Sequence, residues 1–472
     1  MSIKNLVIIV VDALRRDRLG CYGYHKKTSP YIDALAGAGT LFEQAYTCSN
    51  CTDPSFTTMF SGRYPVSNGI RNHGNRITGE ELRGFYRKNN LWLPEILKAN
   101  GYKTIGIDWL GRWHRMGFDH YWKGSCKKDQ PTRLLANFIE ALPHKYVDIA
   151  KRLCEQFGLL KYIQTAASVT KEAVEAINGT NEPFFLFVHY WDTHTPYYAP
   201  GGILRKLFLC NRTECLEEMF ESIKNEKWKS YLVNCFPGAK NVVDIQAIYD
   251  EAVKYVDGAV GRLLDCLRAA GKLDNTLVIV TADHGESLGE HGIYFDHHGL
   301  YDSTIRVPLI MSGGGFNKSA RISGFVQHID LAPTVMQMLG VSCDKTHFDG
   351  VSFLPLLNGR ANGTRSFVVA EEMYTEEKYA IRTGEWKYIY SPSEDRATCR
   401  YCGFIHGGVE ELYNLADDPA EECNVMDRHH QIARELKAEL LSFYNNLIKR
   451  GKVRERGMIS GKVRRLKAAG LI

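Results

Sequence analysis

The chain is 472 residues long, 44% hydrophobic and 24% charged, with a formal net charge of +5. These proportions are those of an ordinary globular protein, and no stretch approaches the ~18 consecutive apolar residues that would cross a membrane. The 13 cysteines, an odd number scattered without a framework, argue against a disulfide scaffold and for reduced thiols in a cytoplasmic setting.

The first element is the apolar, β-branched run from Lys4 to Val11, which ends on Asp12. Such a run predicts a strand buried on both faces, as in a parallel sheet covered by helices. An Asp at its carboxyl end lies where ligands bind in open α/β sheets. Leu6–Val11 is also too short to be the apolar region of a signal peptide. A helix is predicted to open after Thr52, because Asp53 and Pro54 suit first helical positions. Thr52 is then expected just before the helix, its hydroxyl near unpaired N–H groups that suit a tetrahedral anion. Residues 127–178 are helical in pattern. The apolar run Phe184–Asp192 predicts another strand, with His194 just past its end. Residues 201–240 form an insertion containing Cys210, Cys215 and Cys235, and Asn275–Thr281 is a further strand that delivers Asp283 and His284 together.

Residues 1–120 and 180–340 should therefore build one α/β sheet flanked by helices. This predicts a catalytic domain over 1–365, with the insertions at about 127–178 and 201–240 capping its cleft. Short strands at Ser366–Glu371, Tyr379–Arg382 and Lys387–Tyr390, then a helix from about 428 to 449, predict a C-terminal subdomain over 366–472 with a small antiparallel sheet and a basic helical tail.

Asp12, Asp283 and His284, each from a strand end, form with the Thr52 oxygen a ligand set for one divalent cation. Taken singly, each Asp is a helix cap, His284 a core histidine and Thr52 a cap; their combination favours the metal. The histidine favours Mn²⁺ or Zn²⁺, with Mg²⁺ possible. An alcohol is a feeble nucleophile at neutral pH, and coordination depresses the pKa of a bound oxygen acid by several units. Each unit is worth about 1.4 kcal/mol. Attack by Thr52 would form a covalent intermediate that water or another alcohol resolves.

Motifs along nearly the whole chain carry a resemblance. They are Val10–Asp17, Thr28–Ala36, Phe60–Pro65, Asp192–Pro196, Asp283–Glu286, Tyr301–Leu309, Arg382–Tyr388, and Glu411–Leu415 followed by Asp418, Pro419 and Glu421. In this order they resemble the sulfatase family of the alkaline phosphatase superfamily. The resemblance implies a mixed, largely parallel alkaline-phosphatase-like sheet and a metal-dependent ester hydrolase; Ca²⁺ enters as an option because the family's sulfatases use it. Sulfatases proper carry Cys-x-Pro-x-Arg, whose Cys becomes formylglycine. Here Thr52 takes that position, Cys51 is one residue out, and Phe56 stands where the Arg should be. A Thr there resembles the phosphoester-cleaving and phosphoryl-transferring relatives. Ala13 replaces a second Asp that many members carry, so a single metal is expected.

The resemblance also implies that His194 contacts the bound ester, and that His297 or His298 touches the leaving-group oxygen. His291 is a lesser candidate on the same loop. Gly111-Arg112-Trp113-His114 resembles the family's Gly-Lys-Trp-His, making Arg112 and His114 candidate anion contacts. The reading favoured is hydrolysis of a phosphodiester or phosphonate monoester. Sulfate ester hydrolysis, phosphoryl transfer to an alcohol, and a non-catalytic binding protein are the alternatives.

Two motifs stand apart. Cys399 and Cys402, with His406 and Cys423 downstream, make a partial structural-zinc pattern that lacks a second Cys-x-x-Cys. The stretch Lys449–Lys467 holds nine Lys/Arg and one acidic residue, and reads as a solvated helix face. No aromatics interleave with these charges, so nucleic acid is not expected. The expected partner is a small anionic ester substrate, with a homo-oligomer possible.

Overall fold

The structure, a computed structural model, describes residues 3–88, 90–123, 164–181, 183–200, 218, 220–221, 223–236, 239–313, 319–342 and 344–468. Most of the helical pattern at 127–178, and Cys210 and Cys215 of the 201–240 insertion, lie outside the described residues. Among the described residues no helix is long and apolar enough to cross a membrane.

Among the described residues ten strands precede the C-terminal region: β1 (Asn5–Val11), β2 (Thr40–Tyr46), β3 (Lys103–Ile107), β4 (His120–Trp122), β5 (Phe184–Tyr190), β6 (Thr276–Thr281), β7 (Ser287–Leu288), β8 (Tyr294–Asp296), β9 (Leu309–Ser312) and β10 (Ala320–Gln327). Eight of them form one sheet in the order β10-β2-β9-β6-β1-β5-β3-β4. All its pairings are parallel except those of β9, which runs against β2 and β6. This is the mixed, largely parallel sheet expected. β1 lies at the centre, with Val10 opposite both His189 of β5 and Thr281 of β6. The carboxyl ends of three neighbouring strands therefore finish level, which puts Asp12, His189 and Asp283 at one edge.

Both faces of β1 are buried, which is why its sequence is continuously apolar rather than alternating. Val7, Ile9 and Val11 pack with helices Ala166–Gly179 and Val242–Ala269. Leu6, Ile8 and Val10 pack on the other face with Phe56 and Phe60 of helix Thr52–Ser61. Full burial of side chains of this size contributes roughly 1.5–3 kcal/mol each.

The C-terminal sheet has four antiparallel strands: β11 (Val368–Glu372), β12 (Lys378–Arg382), β13 (Trp386–Tyr390) and β14 (Glu410–Asn414). Three match the expected segments to within two residues at each end. The fourth was not expected as a strand, because its two glutamates hide a five-residue run that pairs along β13. Helix His430–Ala468 extends beyond the predicted end at 449. Its Leu436, Leu440, Tyr444 and Leu447 pack with Ile381 and Tyr388 of the sheet, a stripe at helical spacing.

Lys387 of β13 ties the C-terminal sheet to the short helix Asp302–Ile305 that follows β8. Its ammonium is fully buried between Asp302 at 2.6 Å and Glu421 at 2.5 Å. Removing one partner of a buried ion pair leaves the others' charge uncompensated. Lys387→Met should therefore lower unfolding free energy at neutral pH by about 3–5 kcal/mol, measured by denaturant titration; a loss under about 1 kcal/mol, typical of a solvated pair, would contradict this account.

Candidate active site

Helix Thr52–Ser61 begins one residue earlier than its sequence suggests. Cys51 is the extended residue before it (φ −132°, ψ 143°), and no side chain caps the helix. Thr52 is thus the first helical residue rather than the cap, and its hydroxyl is directed elsewhere: Oγ1 lies 3.4 Å from Nε2 of His284. Cys51 takes the other direction, its Sγ 3.6 Å from Asn50 Oδ1. Burial pushes the Cys51 thiol up, so it is held protonated.

His284 Nε2 is also 3.5 Å from Asp12 Oδ1 and 3.4 Å from Asp283 Oδ2. The three residues are fully buried, and those two carboxylate oxygens have no hydrogen-bond partner. Their ligating atoms all lie within 4.8 Å of one another. Unpartnered buried carboxylates are costly unless a cation compensates them, and two carboxylates with one imidazole suit a divalent ion. The donor set fits the expected metal. His284 is prepared for it: its Nδ1–H donates to the Gly285 carbonyl at 2.8 Å, which leaves the Nε2 lone pair facing the cluster. Burial pushes this imidazole down to about 3, so it stays neutral as a ligand must.

A layer that sequence reasoning missed surrounds the cluster. His189 bridges Asp12 Oδ2 at 3.2 Å and Asp108 Oδ1 at 2.9 Å. Burial opposes its charge, but the two carboxylates raise it to about 10, so it is an imidazolium. Asp108 in turn accepts from Tyr121. His189 looked like one more residue of an apolar strand; its register opposite Val10, two residues before Asp12, was the available signal.

Arg112 and His114 gather on Asp53, the residue after Thr52. Arg112 Nη2 is 2.9 Å from Asp53 Oδ2, His73 Nδ1 is 3.0 Å from it, and His114 Nδ1 is 3.8 Å from Asp53 Oδ1. Burial would raise the Asp53 carboxyl, but His73, His114 and Arg112 hold it at about 2. The two residues expected to contact an anion therefore already face a carboxylate. Phe56 packs edge-on against His189 at 4.8 Å, Phe187 at 5.3 Å and His114 at 5.8 Å. An apolar ring thus fills the place where the family signature carries a guanidinium.

The histidines after β5 and β8 separate into two groups. His194 stacks on Trp191 at 4.3 Å, and His297 lies 4.2 Å from His284 and 5.4 Å from His194, centroid to centroid. Their Nδ1–H groups donate to the carbonyls of Thr195 (2.8 Å) and Asn50 (2.6 Å). Each Nε2 is left as an acceptor. Burial pushes His194 down to about 4 and His297 to about 3. His298 goes elsewhere, into a cluster with Cys399, Cys402 and His406. His291 lies flat on Tyr301, centroids 3.5 Å apart, with Tyr413 of the C-terminal sheet 6.5 Å away, rather than on Thr52.

The family model for sulfatases matches residues 4–341, and that for the C-terminal part of N-sulphoglucosamine sulphohydrolase matches residues 289–446. A choline-sulfatase of Rhizobium meliloti is 31% identical over 460 residues, covering 90% of this chain and 82% of its own. Arylsulfatase K of Bos taurus is 25% identical over 474 residues, covering 93% and 82%. Among solved structures, the phosphonate monoester hydrolase of Agrobacterium radiobacter superposes with a TM-score of 0.67 at 20% identity, over 94% of this chain and 96% of that one.

Beneath the site, Ser55 Oγ donates to the Asp283 carbonyl at 2.6 Å and lies 3.3 Å from His328 Nδ1, whose Nε2 is 3.3 Å from Thr281 Oγ1. This buried imidazole ties the helix to β6, and burial pushes it down from 6.5 to about 4. The folded state therefore binds fewer protons than the unfolded chain between these values. Its stabilising effect is full above pH 6.5 and is lost as pH falls through about 4, a change of up to about 3 kcal/mol. Unfolding free energies measured from pH 7 to 4 should fall less steeply in His328→Asn than in the wild type; identical slopes would overturn the assignment.

Proposed function

The chain belongs to the sulfatase family, which makes it a hydrolase of ester bonds, and on that premise we propose that it cleaves singly charged phosphorus esters through a covalent intermediate on Thr52. Phosphodiesters and phosphonate monoesters are the substrates of this class. The observation that carries the reading is the direction of two neighbouring side chains: Thr52 Oγ1 faces His284, whereas Cys51 Sγ faces Asn50. Formylglycine chemistry needs a cysteine where Thr52 stands.

Asp12, Asp283 and His284 would hold a divalent cation, which when bound would supply positive charge to acidify the Thr52 hydroxyl and to neutralise the ester oxygens. Thr52 Oγ1 attacks phosphorus, forming an O–P bond as the bond to the leaving alcohol's oxygen breaks. The proton of Thr52 passes to Nε2 of His297, the acceptor left by the bond from Nδ1–H to Asn50, and from there to the leaving oxygen. Water then attacks the phospho-threonine, losing a proton to the same nitrogen, and Thr52 recovers its hydroxyl. His194, braced by Trp191, lies beside this path, where its Nε2 acceptor reaches the ester's non-bridging oxygens through a bridging water.

The charge of the substrate follows from what the pocket lacks among the described residues. Phe56 supplies no cation, and Arg112 and His114 face Asp53. A phosphate monoester brings close to two negative charges at neutral pH, a diester or phosphonate monoester only one, and uncompensated charge in a desolvated pocket is costly. Sulfate esters also carry a single charge. The 31% identity to a choline-sulfatase makes sulfate ester hydrolysis the second reading.

Thr52→Ala should lower turnover by on the order of 10³-fold or more with substrate binding largely retained, and Cys51→Ser should keep most activity. Peptide mass spectrometry finding formylglycine at position 51, or a dead Cys51→Ser enzyme, would sink the threonine mechanism. On a panel of matched esters, kcat/KM should be higher for the phosphodiester or phosphonate monoester than for the phosphate monoester. A tenfold preference for the monoester would mean that cations beyond these serve the pocket, Arg112 being the first to substitute. Metal stripping should abolish turnover, and Mn²⁺ or Zn²⁺ should restore it.

A further inference from the structure

Outside the site just described, one cluster combines four metal-ligating side chains from two distant parts of the chain. His298 follows β8; Cys399, Cys402 and His406 lie in the segment between β13 and β14. All four are buried, and one ligating atom from each falls within 4.8 Å of every other. Cys402 Sγ is 3.0 Å from His406 Nε2. His298 is 2% exposed, yet neither of its ring nitrogens has a hydrogen-bond partner. A buried imidazole with both nitrogens unmatched is expensive, and here it abuts two free thiols.

The local backbone is built to present these atoms. Thr398 bridges Ile405 in antiparallel fashion, Cys399 N–H donates to the Phe404 carbonyl at 2.7 Å, and Gly403 N–H donates to the Cys399 carbonyl at 2.8 Å. Gly403 closes the turn at φ +79°, a conformation that favours glycine. This tight loop turns Cys399 and Cys402 to one side. His406 is oriented from behind: its Nδ1–H donates to the His291 carbonyl at 3.1 Å, which points the Nε2 lone pair at Cys402.

We propose that His298, Cys399, Cys402 and His406 hold one zinc ion, a closed structural site separate from the Asp12–Asp283–His284 cluster. Two thiolates and two imidazoles in a tetrahedral arrangement suit zinc, with Zn–S of about 2.3 Å and Zn–N of about 2.0–2.1 Å. Donors this close together enclose a single ion and leave no room for an iron–sulfur cluster. Four protein donors also leave no open position, so the ion does no chemistry. The fourth ligand is His298 rather than Cys423, the partner suggested by the sequence, which is exposed. The ion's task is mechanical: it pins the 391–408 segment to the loop that carries His297. Asp296 Oδ1 lies 3.6 Å from both His297 Nε2 and His298 Nδ1, so fixing His298 also fixes the carboxylate beside His297.

The test uses cobalt substitution of the full-length chain. Co²⁺ bound by thiolates gives a sulfur-to-metal charge-transfer band in the near ultraviolet, and a site of carboxylates and imidazole gives none. Wild type and Thr52→Ala should both show the band, and Cys402→Ser, which leaves one thiolate, should lose at least half of its intensity. His406→Cys should keep it, since three thiolates and one imidazole still make a zinc site, whereas His406→Ala should weaken it. Should Cys402→Ser fail to fold, a mercurial titration of folded wild type should release one zinc per chain as the buried thiols react. Absence of the band in wild type, its persistence at full intensity in Cys402→Ser, or a Cys399–Cys402 disulfide in protein purified under reducing conditions would overturn the proposal.

Discussion

Two carboxylates that cannot avoid one another govern the architecture around the site. Asp12 and Asp283 follow neighbouring parallel strands whose register sets Val10 opposite Thr281, so strand pairing itself brings them together. Both are fully buried, and burial together with Asp283 raises the Asp12 carboxyl. The effective penalty for such charges in a protein interior is several kcal/mol per ion. Much of the surrounding structure consists of responses to it. The N–H groups of Ala13 and His284 donate to Asp283 Oδ1 at 3.2 and 2.9 Å, and the His189 imidazolium meets the second oxygen of Asp12. Each orphan oxygen then faces the one point where a cation would sit.

A chain of polar contacts leads outward from this point. Asp12 is followed by His189, His189 by Asp108, and Asp108 by Tyr121. A second set of contacts runs from Asp53 to His73, Arg112 and His114. The His189 imidazolium and the Arg112 guanidinium are thus each engaged by buried carboxylates. Phe56, packed between His189 and His114, lies between the two sets.

What was legible in the sequence followed local rules. The strands β1, β5 and β6 announce themselves because a strand covered on both faces must be apolar throughout, and the residues just beyond them are placed by the same reading. The helix start at Thr52 was off by one residue, since Cys51, with no capping side chain, takes the extended position and frees the threonine hydroxyl. Residues defined by distant contacts were not legible. His189 is hidden in an apolar run, and His73 sits in a loop with no motif. His297 and His298 are adjacent in sequence yet diverge, one toward His284 and the other toward cysteines a hundred residues away. β14 escaped because the glutamates that disguise it, Glu410 and Glu411, answer Lys437 and Lys378 from other elements.

The C-terminal sheet is part of the site rather than an appendage, and one side chain makes it so. Glu372, at the end of β11, accepts from Asn50 Nδ2 at 2.8 Å and from Gly299 N–H at 2.9 Å with the same carboxylate oxygen. Asn50 directly precedes Cys51 and Thr52, and its carbonyl receives the Nδ1–H of His297. A single buried carboxylate from the small sheet thus sets the residue before the helix, the glycine after the histidine pair, and through Asn50 the tautomer of His297. Charged acceptors make the stronger hydrogen bonds, and an anion shared between two loops couples their positions. Movement of the small sheet relative to the large one would therefore reach Thr52 and His297 together, through Glu372 and Asn50.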